Sequence, residues 1–333
     1  MKFLIAGLGS IGRRHLRNLR ALGEQDILLY RTHTATLPED ELAGLPVETD
    51  LAAALAHRPD AVIVSNPSAL HLDVAIPAAE AGCHLLLEKP ISHSMDRVDE
   101  LFAAVQRNNV RVLVGFQFRF HPALNRIAEL LAESAIGRPV SARAYWGEYL
   151  PDWHPWEDYR QSYSARPDLG GGAILTLCHP LDYLRWLIGD VAELWAFTSN
   201  IGLNLEVEDT AEIGLQFASG ATAFVHLDFV QRPHRHELEI IGAEGTIRWD
   251  YANGGMVELF RSSSNRWESI YTAQGFERND MFLAEMHHFR EVVKGAADPR
   301  CPLADGLAAL ELALAALRSA KEGRKVAPRS DNQ

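Results

Sequence analysis

The length and charge of the chain narrow its class before any motif is considered. It has 333 residues, of which 47% are hydrophobic and 23% charged, and a formal net charge of −12 at pH 7. This length predicts two domains, because single hydrophobic cores stop growing at about 250–300 residues. The acidic balance argues against nucleic acid or an anionic membrane as the main partner, since both require basic surface.

The start of the chain and its cysteines bear on its location. The apolar start is too brief for a secretory signal, and no apolar run is long enough to span a bilayer. Cys83, Cys178 and Cys301 are far apart and form no CxxC pair, which is typical of a reducing compartment. We therefore expect a cytoplasmic protein with no nucleic-acid or membrane partner.

Short apolar segments alternate with helical patterns over the first 120 residues. Strands are predicted at residues 2–6, 27–30, 61–64, 84–87 and 110–115, and helices at about 11–22, 50–57, 68–81 and 94–107. Continuous apolar strands separated by helices indicate a parallel sheet covered on both faces. We predict an α/β fold that begins with a Rossmann dinucleotide-binding domain over residues 1–120.

The pattern changes after residue 120. Helices are predicted at about 121–134, 173–188, 278–294 and 304–321, a loop at 149–169, and strands at 139–148, 209–217, 222–230, 236–241 and 246–250. Tight turns at Ser219-Gly220 and Glu244-Gly245 join strands with period-2 alternation. This predicts a C-terminal α+β domain over residues 121–300 with a large, mostly antiparallel open sheet. The last helix is a candidate to pack back on the first domain.

A glycine-rich turn follows the first predicted strand. Gly7, Gly9 and Gly12 form a GxGxxG motif that also contains Ser10 and Ile11 and opens a predicted helix. Gly7 permits the tight turn, Gly9 lets the backbone approach a pyrophosphate, and Gly12 allows close helix packing. Free N–H groups at the helix start attract phosphate, so we predict that this turn binds a nicotinamide dinucleotide.

The end of the second strand bears on the choice of cofactor. NAD sites usually place an acidic residue there to accept from the ribose hydroxyls, whereas this chain has Tyr30-Arg31-Thr32. Arg31 is suited to pair with a 2′-phosphate. We predict a preference for NADP(H), with NAD(H) possible. The alternative, a solvated loop arginine, stays open.

Further motifs resemble one family along nearly the whole chain. These motifs are Ser65-Asn66-Pro67-Ser68-Ala69-Leu70-His71, Glu88-Lys89-Pro90, Gly170-Gly171-Gly172 leading to His179 and Asp182, Val207-Glu208-Asp209-Thr210-Ala211, and Asp305-Gly306-Leu307. In this order and spacing they resemble the glucose–fructose oxidoreductase, inositol dehydrogenase and rhizopine-catabolism family (Gfo/Idh/MocA).

The resemblance implies residue roles and an assembly. It implies a catalytic Lys89 and His179, and homodimers or homotetramers formed through the C-terminal sheet. It also implies cofactor contacts from Ser65, Asn66, Pro67, His71, Glu88, Lys89 and Gln117.

Lys89 and His179 suit these roles chemically. Lys89 ends an apolar strand, so it lies at the carboxyl edge of a parallel sheet, where ligands bind. Pro90 keeps it extended and is a candidate for a cis peptide bond. A lysine there can stabilise developing oxyanion charge, and an imidazole can give or take a proton near neutral pH. A salt-bridged lysine and a structural histidine are the open alternatives.

The chain departs from the resemblance at one position. Many relatives carry an aspartate four residues before the histidine, whereas Leu175 stands there in this chain, followed by Thr176. No carboxylate therefore orients the histidine from that side, which weakens its assignment to proton transfer. Thr176 remains a candidate to hydrogen-bond the substrate. Asp182 and Arg119 are assigned structural roles.

The loop at 149–169 is the candidate for substrate contacts. It contains Trp153, Arg160 and Tyr163 among several aromatic and basic residues. Aromatic rings stack on sugar faces, and arginines hold carboxylates or phosphates. If the loop binds substrate, its arginines favour a sugar acid or nucleotide sugar. The open alternative is a loop that serves packing only.

Two other signals are not assigned to chemistry. His226, Asp228, His234 and His236 lie near one another in the sequence, but on period-2 strands we expect the histidines to face solvent or a partner. No metal site is predicted. Cys178 precedes His179, and we interpret it as a small buried cysteine rather than a nucleophile.

The predicted function is hydride transfer between a nicotinamide and a CH–OH or C=O carbon of a sugar, sugar acid, nucleotide sugar or cyclitol. Lys89 would polarise the substrate oxygen and His179 would relay the proton. Two alternatives stay open. One is a non-catalytic NADP-binding sensor or regulator, motivated by the absent aspartate. The other is a reductase of a non-sugar ring, similar to biliverdin reductases or dihydrodiol dehydrogenases.

Overall fold

A computed structural model describes residues 1–32, 37–38, 40–251, 254–272 and 275–329. It divides into two compact units, each of which gathers segments distant in sequence. The first unit comprises Met1–Gln117, Asp168–Gly170 and Arg278–Leu307, and the second comprises Phe118–Pro167, Gly171–Glu277 and Ala308–Gln333. No helix in the described part of the chain is long and apolar enough to cross a membrane.

The first unit is built on a six-stranded parallel sheet in the order β3-β2-β1-β4-β5-β6. The strands are β1 (Phe3–Ala6), β2 (Ile27–Tyr30), β3 (Val47–Glu48), β4 (Ala61–Val64), β5 (His84–Leu87) and β6 (Val112–Val114). Apart from the short edge strand β3, all were predicted from their apolar runs. The strand order reverses between β1 and β4, and ligands bind at such a point beyond the carboxyl ends of the strands.

The helices of the first unit cover this sheet. They are α1 (Ser10–Ala21), α2 (Leu51–Ala56), α3 (His71–Glu80), α4 (Val98–Arg107) and α8 (Arg278–Lys294). Helix α8 returns to α1, where Asn279 donates a hydrogen bond to Asn18 and Arg290 pairs with Glu24 at 2.7 Å. The phenyl rings of Phe3 and Phe289 contact each other at 6.4 Å between centroids. Burial of such apolar side chains stabilises the unit by about 1.5–3 kcal/mol each.

The second unit contains an eight-stranded sheet in the order β14-β13-β12-β11-β7-β10-β9-β8. All its neighbouring strands are antiparallel except β7 and β10, which confirms the mostly antiparallel sheet. The strands are β7 (Pro139–Gly147), β8 (Val191–Ser199), β9 (Thr210–Phe217), β10 (Thr222–Asp228), β11 (Arg235–Gly242), β12 (Gly245–Asp250), β13 (Met256–Arg261) and β14 (Arg266–Tyr271).

Three of these strands, β8, β13 and β14, were not predicted. Strand β14 lies at the sheet edge and is exposed or half-buried throughout, so its sequence does not alternate clearly. The sheet buries alternate residues on one face, which includes Trp146 and Trp249. We call the opposite face, which carries Tyr145, Phe197 and Phe224, the open face.

The remaining helices are α5 (Pro122–Ala132), α6 (Ala173–Thr176), α7 (His179–Ile188) and α9 (Leu303–Glu322), which begins in the first unit. The helix predicted over 173–188 is therefore broken at Leu177 and Cys178. Pro180 lies in the first turn of α7, where its missing N–H costs nothing. The loop before α6 contains four short 3-10 turns between Leu150 and Leu169.

Candidate functional site

The glycine turn after β1 has the geometry that a pyrophosphate requires. Gly7 adopts φ +90°, and a Cβ there would lie 2.5 Å from Asn66 N. A Cβ at Gly12 would overlap the carbonyl oxygen of Gly7, whereas a Cβ at Gly9 would meet nothing within 4 Å. Helix α1 has no side-chain cap and no acidic residue in its first turn. Its first N–H groups are therefore suited to an anion, beside the space that Gly9 leaves open.

The turn after β4 is tied to the glycine turn. Ser65 Oγ lies 3.0 Å from Ala6 O and 2.9 Å from Gly7 O, and Asn66 Nδ2 donates to Leu70 O. Pro67 and the 3-10 turn Ser68–Leu70 then lead into α3. The strand order thus places the turns that follow β1 and β4 side by side at the carboxyl edge of the sheet.

His71 links this second turn to the Lys89-Pro90 segment. Its Nδ1 lies 2.8 Å from Pro90 O and its Nε2 lies 2.9 Å from Asn66 O. Burial lowers the pKa of His71 to about 4, so the ring is neutral near pH 7. A neutral imidazole donates to only one of these carbonyl oxygens at a time. The Lys89-Pro90 peptide is cis, and Lys89 is half-buried just beyond the end of β5.

Glu88 carries a buried charge between the sheet and α1. Its Oε1 lies 2.8 Å from Nε2 of His15, which is fully buried on α1. Burial raises the pKa of Glu88, but the hydrogen bond and charge of His15 and the charge of Lys89 bring it below its ordinary value. Nearby on α8, burial and the Glu88 charge raise the pKa of Glu285 well above its usual range. Sequence analysis missed His15 and Glu285, because neither belongs to a motif that it used.

The other predicted cofactor residues also lie in the first unit. Arg31 follows β2, donates its backbone N–H to Glu48 O, and exposes 7% of its surface. Residues 33–36, which come next, lie outside the described residues. Ser10 and Ile11 form the first turn of α1, and Gln117 is buried at the end of this unit's first segment.

His179 begins α7 in the second unit and is buried among aromatic rings. Its ring centroid lies 5.1 Å from that of Phe118, edge-on, and 5.2 Å from that of Trp146 in a stacked arrangement. Leu175 and Thr176 are buried on α6 just before it. The ring contacts that position this histidine include Phe118 and Trp146, and Leu175 stands where the sequence comparison expected an aspartate.

The expectation that His236 faces solvent or a partner is wrong. Its side chain is fully buried and stacks on Trp146 at 4.4 Å and 7°. His236 lies directly opposite Trp146 across β7 and β11, so the register fixes this pair on the buried face. His234 precedes β11 and remains partly exposed, with its Nε2 3.3 Å from Glu148.

Two carboxylates, the buried Asp182 and the half-buried Glu208, support the segment that carries His179. Asp182 on α7 binds Arg119 through two hydrogen bonds of 2.6 and 3.0 Å, a buried pair that joins α7 to the turn before α5. Glu208 accepts a hydrogen bond of 2.9 Å from the N–H of Ile174 at the start of α6. Burial raises the pKa of Glu208 to about 7. Gly172, at φ +106°, leaves room for this carboxylate.

Some residues of the predicted substrate loop pack against the protein, and others are exposed. The Trp153 ring contacts Phe229 at 5.6 Å, and Tyr163 is half-buried in a 3-10 turn. Arg160 is exposed, lies over the ring of Tyr159 at 4.5 Å, and contacts Asp158 at 3.5 Å. Such an exposed ion pair is weak, so it does not prevent Arg160 from binding another anion.

The geometry around His226 and Cys178 does not favour a metal site or a nucleophile. His226 Nδ1 lies 2.6 Å from Glu212 and its Nε2 lies 2.8 Å from Asp228, so both ring nitrogens face carboxylates rather than a common centre. Within the described ranges no cluster of His, Cys, Asp and Glu side chains could hold a metal ion. Cys178 is buried, as are Cys83 and Cys301.

Together the sheet order, the glycine turn and the space beside Gly9 define a Rossmann dinucleotide-binding fold. Residues 1–116 match the model of the oxidoreductase family with an NAD-binding Rossmann fold, and residues 124–248 match the GFO/IDH/MocA C-terminal domain. The chain therefore belongs to the Gfo/Idh/MocA family of NAD(P)-dependent sugar and cyclitol dehydrogenases, as its motifs indicated.

Relatives of known activity and a solved structure agree with this assignment. The chain is 29% identical to a myo-inositol 2-dehydrogenase from Thermotoga maritima, over 98% of both chains. It is also 29% identical to a 1,5-anhydro-D-fructose reductase from Ensifer adhaerens, over 80% of this chain and 78% of the relative. A levoglucosan dehydrogenase in complex with NADH has the same fold, with a TM-score of 0.87, 22% identity and 99% coverage of both chains.

Proposed function

We propose that the protein transfers a hydride between a nicotinamide cofactor and a carbon of a sugar-like substrate that bears a hydroxyl or carbonyl. The observation that carries this proposal is the carboxyl edge of the parallel sheet. There the uncapped start of α1 and the space at Gly9 follow β1, and Lys89 follows β5, which is separated from β1 by β4 alone. The cofactor, when bound at this edge, accepts or supplies the hydride.

Lys89 and His179 are proposed as the groups that act on the substrate. The ammonium of Lys89 hydrogen-bonds the substrate oxygen and stabilises negative charge that develops on it. The charge of Lys89 also helps to keep the pKa of the adjacent Glu88 below its ordinary value. His179 exchanges the proton of the reacting hydroxyl. The assignment of both residues rests on their match to the family motifs.

The proposed cofactor preference is for NADP(H) over NAD(H). Arg31 at the end of β2 stands where an acidic residue would accept from the ribose of NAD. A guanidinium there favours the additional phosphate of NADP. We would titrate the purified protein with NADPH and NADH and follow the nicotinamide fluorescence. Tighter binding of NADPH, lost in Arg31→Asp, supports the preference, and tighter binding of NADH contradicts it.

The proposed substrates are sugars, sugar acids, nucleotide sugars and cyclitols. The relatives described above are named for an anhydrosugar and an inositol. Thr176, Trp153 and Tyr163 offer hydroxyl and aromatic contacts for such a ring, and the exposed Arg160 favours an anionic group. A substrate panel with either cofactor tests this class. Loss of affinity for acidic substrates alone in Arg160→Gln would support the role of Arg160.

A non-catalytic cofactor sensor is the second candidate, favoured by the buried Leu175 in place of an aspartate. The substrate panel separates the two functions. Turnover that depends on Lys89 supports the enzyme. Tight cofactor binding without turnover of any panel member supports the sensor.

Assembly through the open face of the second unit's sheet is also proposed. Phe197 and Phe224 expose 69% and 51% of their surfaces there, on either side of Trp195. An exposed apolar patch of this kind is typical of an interface, and the resemblance favours homodimers or homotetramers. Light scattering on the wild type and Phe224→Glu tests it. A monomeric wild type would overturn it.

A further inference from the structure

We propose that Trp146 is the positioning residue for His179, a role that rests on the proposed function of that histidine. The indole on β7 provides a flat wall on which the imidazole lies, 5.2 Å away between centroids and inclined by 29°. Phe118 contacts the same imidazole edge-on at 5.1 Å. These two rings limit the orientations that the imidazole can adopt at the start of α7.

The indole is itself held in place from two directions. Its Nε1–H donates a hydrogen bond of 2.8 Å to Glu148 Oε1, just beyond the end of β7. His236, opposite it on β11, stacks on it nearly parallel at 4.4 Å. Trp146 exposes only 5% of its surface. A buried ring with a charge-assisted hydrogen bond and a stacked neighbour has little rotational freedom.

Stacking on an aromatic ring can partly replace a carboxylate in orienting the imidazole of His179. A general acid or base is effective only when the nitrogen that exchanges the proton points at the reacting oxygen. A carboxylate fixes the direction of an imidazole through a hydrogen bond, whereas an aromatic wall fixes its plane. The side chain of Leu175 on α6 offers no hydrogen bond, and the stack on Trp146 is the orienting contact that the geometry assigns to this imidazole.

The test compares Trp146→Phe and Trp146→Leu with Trp249→Phe as the matched control. Trp249 is buried in the same cluster, against His236 and Tyr183. For Trp146→Leu we expect kcat to fall about 10–100-fold while KM stays within about threefold, because a misplaced catalytic group costs rate rather than binding. Trp146→Phe retains a wall and should stay within about fivefold of the wild type. Trp249→Phe should retain its rate.

A spectroscopic readout separates orientation from general damage. With histidines labelled at Cε1, the His179 resonance is identified by its loss in His179→Gln. It should carry an upfield ring-current shift that disappears in Trp146→Leu and persists in Trp249→Phe. Glu148→Ala, which frees the indole N–H, should reduce kcat by less than Trp146→Leu and partly reduce the shift.

The outcomes distinguish this inference from the function on which it rests. If the wild type turns over substrate and His179→Gln abolishes turnover, but Trp146→Leu keeps the rate, the positioning role is wrong and the proposed function stands. Equal losses of rate in Trp146→Phe, Trp146→Leu and Trp249→Phe would also overturn it, since they would indicate a purely structural role. If His179→Gln retains full turnover, the proposed role of His179 itself fails.

Discussion

The glycine turn of the first unit and the histidine cluster of the second are organised in opposite ways. The turn takes its shape from a few glycines in one short segment and presents backbone N–H groups. The histidine cluster is made of side chains from separate segments, with Phe118 and Trp146 against His179 and with His236 stacked on Trp146. Backbone recognition can therefore be encoded locally, whereas the environment of one side chain depends on the register of the whole sheet.

The largest expected effect concerns the buried ion pair between Arg119 and Asp182, which lies on the same helix as His179. Asp182→Ala leaves the Arg119 guanidinium buried without this partner, and we expect the free energy of unfolding to fall by about 3–5 kcal/mol. Urea unfolding followed by tryptophan fluorescence measures this change. Asp190→Ala, which removes an exposed partner of Arg185, is the control and should cost at most about 1 kcal/mol. Equal losses of unfolding free energy in the two variants would show that the buried pair contributes no more to stability than the exposed one.

Next in size is the loss of the strand-end lysine. Lys89→Met should lower kcat about 10²–10³-fold, because a donor to the developing oxyanion is removed. Cofactor affinity should fall much less than kcat, because Lys89 is one of several expected cofactor contacts and the glycine turn is left intact. Steady-state rates and NADPH titration of the same preparation check both statements, with Lys294→Met as an exposed-lysine control. Full activity in Lys89→Met would mean that the lysine serves structure alone.

A smaller effect is the pH dependence of stability that Glu208 gives to the second unit. The pKa of Glu208 is raised from its ordinary value of 4.5 to about 7 by burial, so the folded state holds this proton more tightly than the unfolded state. Its contribution to stability is complete below about pH 4.5 and is lost as pH rises through about 7.

Glu208→Gln removes this dependence. We therefore expect the variant to match the wild type near pH 4.5 and to be more stable by about 1–3 kcal/mol at pH 8. Thermal unfolding across this pH range measures the difference, with the exposed Glu206→Gln as the control. A constant offset between variant and wild type at every pH would contradict the assignment.

The smallest expected effect distinguishes two glycines of the same turn, Gly9 and Gly12. Gly9→Ala adds a methyl group where nothing lies within 4 Å, so its melting temperature should match that of the wild type. The methyl group occupies the space beside the α1 N-terminus, and we expect NADPH affinity to fall about tenfold. Gly12→Ala, by contrast, forces a clash with Gly7 and should lower the melting temperature as well. Unchanged affinity in Gly9→Ala would place the pyrophosphate elsewhere.

Much of the fold could be predicted because its signals are local. Apolar runs marked five of the six strands of the parallel sheet, and alternation marked β7, β9, β10, β11 and β12. The edge strand β14 escaped prediction because half-exposed residues follow no clear period. The orientation of His236 was predicted wrongly for a related reason. A period of two shows that side chains alternate between the two faces of a strand, but it does not show which set faces the core.

The sequence by itself determined the glycine turn and, through its motifs along the chain, the family. Gly7 adopts a left-handed backbone that a Cβ disfavours, and a Cβ at Gly12 would clash with Gly7, so the turn is encoded locally. It also determined which residues were candidates for chemistry. Only the tertiary structure decided what surrounds them. The contact of His15 with Glu88 spans 73 positions of the chain, and the stacking of Trp146 on His179 joins a strand to a helix. Such contacts depend on strand register and helix packing, which no local pattern specifies.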